Sequence, residues 1–315
     1  MFPLIPITPD PTAVDLGIIK IGWYGIGYVV GLAVLLAVTQ TEVARRGIDP
    51  AHVWGALLMV GALALAGGRL YHVIDEWEFY SRDLSAIVLP PYSGLGLYGG
   101  VAGAALGIIL YVRWKRLPVR LSFDSVIPGT LFAQGIARWG NFFNQELYGP
   151  PTDAPWGIAI DCAHRAGTPW LCPPAGAFPF ETTGFHPMFF YESALDILGG
   201  LIALYVSRRM LWRLQPGDLT AFWGIWYGLI RAGLETLRSG YNWTLGGGLP
   251  TATVIGLGLA LFGAAWIIYN HRPGSFPYAY MGTYAPAPPP ADPFAGEDDF
   301  DEDDDSDDEP NRPPE

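Results

Sequence analysis

The chain has 315 residues, half of them hydrophobic and 15% charged, whereas a soluble globular domain carries about 25% charged residues. Its formal net charge of −12 belongs to one end: residues 291–315 hold 13 of the 30 acids and one of the 18 bases, Arg312, so the remainder carries 17 of each and no net charge. Long uncharged apolar runs exclude an ordinary soluble enzyme, and an acidic soluble segment argues against nucleic-acid binding.

A helix that crosses a bilayer needs about 20 mostly apolar residues. Seven windows qualify: 17–39, 53–74, 94–112, 124–143, 187–206, 218–237 and 250–270. The expectation is an all-α polytopic membrane protein with about seven transmembrane helices. Residues 1–15 lack a basic n-region, and Asp10 and Asp15 interrupt their apolar character, so the first helix is expected to act as an uncleaved anchor. Tyr24 lies near the start of this helix. The second window closes on Gly67-Gly68-Arg69-Leu70-Tyr71-His72, which puts an arginine at membrane depth, and Tyr98 precedes Gly99-Gly100 in the third. Gly25, Gly27 and Gly31, with Gly99, Gly100, Gly103 and Gly107, give the small-residue spacing of close helix packing.

The fourth window ends in Ala137-Arg138-Trp139-Gly140-Asn141-Phe142-Phe143-Asn144-Gln145-Glu146-Leu147-Tyr148-Gly149. Polar groups at that depth are expensive and tend to face a cavity. Arg138, Asn141 and Gln145 have helical spacing, with Asn144 and Glu146 around the helix end. An arginine fork matches phosphate oxygens, and asparagine amides add neutral hydrogen bonds; the alternative is an interfacial arginine snorkelling outward. Residues 145–185 form a loop rich in Pro, Gly and aromatics, expected to be a small extracytoplasmic cap between helices 4 and 5. Its Cys162 and Cys172 either close a disulfide, if the loop faces an oxidising compartment, or remain free thiols.

His186-Pro187 opens the fifth window, followed by Tyr191-Glu192. In the sixth, Tyr227, Arg231, Glu235 and Arg238 are spaced 4, 4 and 3 apart and share one helical face. Either this face holds an internal Arg–Glu pair that ties helices together, or its second arginine leaves positive charge for a ligand. Arg45 and Arg46, Arg113 to Arg120, Arg208 to Arg213, and Arg272 all fall on one side of a seven-helix arrangement. Positive residues stay inside, which predicts an external N-terminus and a cytoplasmic C-terminus. Residues 1–272 are then the membrane domain, and 273–315, Pro-rich and then acidic, a disordered cytoplasmic tail. Metal-site, P-loop, dinucleotide and serine-nucleophile motifs are missing, so neither metal nor organic cofactor is expected.

The segment Arg138 to Gly149 resembles the G-R-x-x-N-F-x-N-x-E-x-x-G signature of bacterial prolipoprotein diacylglyceryl transferases, with Ala137 in place of its first glycine. Trp23-Tyr24-Gly25, Gly67-Gly68-Arg69, Gly99-Gly100, His186-Pro187, Tyr191-Glu192, and Tyr227-Gly228 with Arg231, Glu235 and Arg238 extend the resemblance over about 15–272. The resemblance implies an enzyme of the bacterial plasma (inner) membrane. It would move the diacylglyceryl group of phosphatidylglycerol to the lipobox cysteine of a preprolipoprotein signal peptide and release glycerol phosphate. It implies that Arg138 binds phosphatidylglycerol, with Asn141, Asn144, Gly149, Arg69, Tyr227, Arg238 and His186 around the substrate. Arg231 becomes the essential arginine of helix 6, Glu235 its acidic partner or the base, and Tyr24 and Glu146 further important positions. Where the family commonly has a histidine proposed as base, this chain has Tyr98; either Tyr98 substitutes or the base lies elsewhere. A transporter or flippase for an anionic lipid or metabolite is the other class open to such a chain.

Overall fold

A computed structural model describes residues 5–17, 20–87, 94, 96–210, 213–237, 244–245 and 249–273. It is mostly helical rather than all-α, because three two-stranded antiparallel sheets accompany the helices. In chain order the elements begin with β1 (Thr12–Asp15) and β2 (Lys20–Gly22), then α1 (Trp23–Arg45), α2 (Ala51–Asp75) and the short α3 (Trp77–Tyr80). Next come α4 (Leu97–Trp114), α5 (Val119–Ala137) and the short α6 (Trp139–Phe143). The strands β3 (Pro151–Thr152) and β4 (Gly184–Phe185) precede α7 (Met188–Arg209) and α8 (Asp218–Glu235). The strands β5 (Thr244–Leu245) and β6 (Leu249–Pro250) lead into α9 (Thr251–Asn270).

Four of these helices, α1, α2, α7 and α9, are long and apolar enough to cross a membrane. Exposure runs opposite to that of a soluble protein. Val29, Leu58, Leu261, Phe262 and Ile268 point outward, while Glu42, Arg46, Asp124, Glu192, Asp196 and Glu235 are buried. Only a solvent of lipid tails makes that arrangement favourable.

The first helix differs from the sequence expectation at both ends. The first window starts six residues too early, since the chain pairs as β1–β2 before Trp23. There Asp15 accepts a hydrogen bond from the Gly17 amide and meets Lys20 at 3.2 Å. The same window stops too soon: α1 continues to Arg45, and Arg46, expected in a loop, is fully buried at its C-terminus. Partners on α7 make this possible, as described below.

α5 lies at the centre, packed against α1, α7 and α8; α2 pairs closely with α4, and α8 with α9. Glycines permit the last two approaches. A Cβ on Gly67 would sit 2.3 Å from the Gly99 carbonyl oxygen, and one on Gly228 2.3 Å from that of Gly256. Either substitution would push the backbones apart, so these glycines serve packing. Gly25, by contrast, has open space beside it.

Two ends of the bundle can be distinguished. At the lower end α1, α7 and α9 finish while α5 and α8 begin. Asp124 of α5 accepts hydrogen bonds from the Gly217 amide (2.7 Å) and from the Thr220 amide (2.9 Å) and hydroxyl (2.7 Å). It thereby caps α8, whose own N-cap residue, Gly217, has φ of +103° and no side chain to do so. At the upper end, residues 144–187 fold over their own small core of Tyr148, Ile158, Ile160 and Phe185, closed by a Cys162–Cys172 disulfide. Buried Arg165 lies under this core, donating to the carbonyls of Ile160 and Phe178.

Candidate functional site

The upper end gathers charge from three elements. Arg138 occupies the break between α5 and α6. Its Nε lies 2.6 Å from Oε2 of Glu192 on α7. The other oxygen, Oε1, is 3.5 Å from Nη1 of Arg231 on α8, whose Nη2 meets Glu235 Oε2 at 2.8 Å. Glu192 is 2% exposed and the Glu235 side chain 0%. The side chains of Arg138 and Arg231 keep 21% and 12%. One carboxylate thus bridges two guanidinium groups, and a second carboxylate backs the deeper one.

Arg138 is the unsaturated member. Glu192 meets its Nε, and among the described residues its two terminal nitrogens carry no hydrogen bond or ion pair. A guanidinium held from the side offers its end as a two-pronged donor, the geometry that suits a phosphate. Tyr227, stacked on Trp223 at 5.3 Å, and Tyr24 both lie within electrostatic range of Arg138. The Tyr24 ring rests on Gly140, where a Cβ would be 2.1 Å from its Cδ2. This contact, together with the Trp23–Phe143 stack at 4.9 Å, fixes the start of α1 against α6.

Beside the arginines, buried Asn141 donates its amide to Glu146 Oε1 at 2.8 Å, and Asn144 reaches the same oxygen at 3.5 Å. Gln145 departs from the expected helical face. Its φ is +48° and that of Leu147 is +56°, a conformation side chains rarely adopt. Gln145 turns into the upper unit, donating to Asp161 Oδ2 (2.9 Å) and accepting from the Asp161 amide (2.8 Å). Gly149 donates its amide to the His186 carbonyl at 3.0 Å, and a Cβ there would meet the His186 Cβ at 2.8 Å. His186 Nδ1 is 3.0 Å from the Tyr191 hydroxyl, which also accepts from Trp156 Nε1 at 2.6 Å. Gly149 and His186 therefore join the signature loop to the start of α7.

Arg69 belongs to another neighbourhood. It donates to the carbonyls of Ala86 (2.8 Å), Ile87 and Gly94 (3.3 Å each) and lies 5.2 Å over the Tyr80 ring. These contacts pin the loop after α3 to α2. Arg238 and the Tyr98 side chain lie outside the described residues. Two residues to which sequence reasoning gave no role stand at the centre: Glu192, the bridge, and Asp196, one turn further along α7. Their signal was present, two acids four apart in an apolar window, the same mark that singled out Arg231 and Glu235.

A model of the family described as prolipoprotein diacylglyceryl transferase matches residues 11–269. The chain is 34% identical over 270 residues to the phosphatidylglycerol–prolipoprotein diacylglyceryl transferase of Chloroflexus aggregans, covering 81% of this chain and 86% of that protein. It is 33% identical to that of Synechococcus elongatus, covering 82% and 88%, and 30% identical to that of Streptococcus uberis, covering 85% and 98%. With its signature segment seated on the Arg138–Glu192–Arg231 cluster, the chain belongs to the prolipoprotein diacylglyceryl transferase family.

Proposed function

We propose that this protein transfers the diacylglyceryl group of phosphatidylglycerol to the lipobox cysteine thiol of preprolipoproteins and releases glycerol phosphate. The observation that carries the reading is Arg138, held through Nε by Glu192, with its terminal nitrogens uncommitted among the described residues and at a partly open position. The headgroup phosphate takes those nitrogens, and Arg231, oriented by Glu235, supplies the second positive charge. As the thiol sulfur attacks the glycerol carbon, the C–O bond breaks and its electrons pass to the phosphate. Fixed guanidinium groups in a low-dielectric pocket stabilise that growing charge. Asn141 and Asn144 hold Glu146 and contribute amide donors around the headgroup; Tyr24 and Tyr227 wall the site beside Arg138. Gly149 and His186 set the approach of the signature loop, and Arg69 serves from the α2 side by fixing its loop. Arg238 and Tyr98 are proposed to complete the set.

In the same reading α1, α2, α4, α5 with α6, α7, α8 and α9 cross the inner membrane of a bacterium. The N-terminus and the 145–185 unit lie outside; the tail from 273 lies in the cytoplasm. The arginines at the ends of α1 and α7 support this orientation. Reagents that label cysteines placed at Asp153 or Arg116 from one side only would locate each face.

The central test uses a lipobox peptide, phosphatidylglycerol micelles and mass spectrometry. Wild-type protein adds one diacylglyceryl mass to the peptide, and Arg138→Ala lowers the rate by about 10²- to 10³-fold. Normal transfer by a folded Arg138→Ala protein removes the clamp. Lipid flux across vesicles with no mass added to the peptide would instead make the protein a transporter.

A further inference from the structure

Among the described residues, every buried acid of the bundle except one lies against a donor or an arginine. Glu42 accepts from Arg46, Ser207 and Arg208, and Asp124 from Gly217 and Thr220; Glu192 and Glu235 face arginines. Asp196 is 1% exposed, and among the described residues neither of its carboxyl oxygens has a hydrogen-bond partner. A buried, unsatisfied carboxyl group is costly to keep. It sits one helical turn along α7 from Glu192, on the same face. The charged groups acting on it are Arg138 from the α5–α6 junction, Arg231 from α8 and Glu192 on its own helix.

We propose that Asp196 is a positioning residue of the transfer step, taking up through Glu192 the proton that the cysteine thiol releases. This rests on the transferase reading above. The S–C bond forms as the C–O bond breaks, the phosphate leaves with the bonding pair, and the thiol proton has to go elsewhere. The phosphate arrives as a diester with one negative charge and departs as a monoester with a second. In a low-dielectric site, accumulated charge is expensive. Moving the thiol proton to a carboxylate offsets the new charge on the phosphate. Glu192 and Glu235 are poor final acceptors, because arginine nitrogens already lie against their oxygens. Among the described residues, Asp196 alone of these acids has neither carboxyl oxygen in a hydrogen bond or ion pair. Glu192 touches both arginines and lies between them and Asp196 along the helix face, so it carries the proton inward.

The experiment uses the full-length protein in detergent micelles with phosphatidylglycerol and a lipobox peptide, following kcat, KM for the lipid and the pH dependence of kcat. Asp196→Asn keeps the shape of the side chain and removes the acceptor. The expected result is a fall in kcat of about 10²-fold, a lipid KM unchanged within about twofold, and loss of the acid limb of the pH profile. Asp196→Glu should recover most of kcat with that limb displaced. An Asn variant with wild-type kcat and pH profile overturns the inference, as does one that changes KM alone. Should Asp196→Asn fail to fold, the Glu variant decides: an acid limb identical to wild type excludes the role. Failure of the wild-type protein to modify the peptide is a separate result, which defeats the transferase reading itself.

Discussion

Two arginine–glutamate clusters occupy opposite ends of the bundle, and they differ in where their donors go. At the lower end Glu42 and Arg46 come from one helix, four residues apart, and both side chains are 0% exposed. Arg46 Nη1 donates to Glu42 Oε2 (2.8 Å) and to the Glu42 carbonyl (2.9 Å), and Nη2 donates to Ser207 (2.9 Å). Ser207 in turn donates to Glu42, whose other oxygen takes Arg208 Nε at 3.3 Å. At the upper end the carboxylate comes from α7 and the arginines from the α5–α6 break and α8, and Arg138 keeps its terminal nitrogens. Arg231 and Glu235 share the i,i+4 spacing of Glu42 and Arg46, so spacing does not separate a staple from a site. What separates them is whether the protein consumes the terminal nitrogens of the arginine: both are taken in Arg46, whereas among the described residues both are left in Arg138.

The largest effect should come from breaking the closed cluster. Arg46→Ala leaves Glu42 buried without its principal partner, which costs about 3–5 kcal/mol of stability. Thermal unfolding in detergent should show a large drop in midpoint or loss of the folded protein. Arg138→Ala should cost only about 1–2 kcal/mol, since Glu192 retains Arg231, while abolishing most transfer. Equal destabilisation by the two substitutions would mean that the upper cluster is also a staple, and the contrast would fail.

Asp124→Ala tests the lower end by a second route. It removes three hydrogen bonds that cap α8, two from backbone amides. The expected loss is about 2 kcal/mol, with KM for phosphatidylglycerol unchanged, measured by melting and by initial rates. A large rise in KM would show that the start of α8 communicates with Arg231 at its far end, and the division between structural and functional ends would need redrawing.

The helices were legible because each apolar window is a local property. The Tyr227–Arg231–Glu235 face was legible too, since base and acid lie on one helix within reach of a periodicity argument. Glu192 carries no such local acid–base mark, because its bases sit on other elements, Arg231 being 39 residues away. Arg46 looked like a loop charge for the same reason: its burial depends on Ser207, 161 residues distant. Arg69 stands out as an arginine in an apolar window, yet its carbonyl partners, Ala86 and Gly94, are main-chain groups that no side-chain pattern encodes. Gln145 fits a helical face on paper, but α6 has already ended when the chain reaches it, and Asp161 draws it away.

Gln145 also supplies the smallest and most discriminating test, because it is a polar residue at the functional end that has been assigned a structural task. Its two hydrogen bonds to Asp161 hold a stretch in which Gln145 and Leu147 both have positive φ, between Asn144 and Gly149. Such conformations cost on the order of 1–3 kcal/mol each and persist only where the surroundings enforce them. Gln145→Ala removes the enforcement without touching an arginine. Global stability should fall by about 1 kcal/mol, and transfer by about tenfold, since small misplacements of positioning groups carry large rate penalties. Gln145→Glu keeps the length but sets a carboxylate against Asp161, and should lower transfer at least as far. If both variants transfer at the wild-type rate, the 144–187 unit does not hold the signature loop in its working shape. The donors that matter would then be confined to the helices themselves.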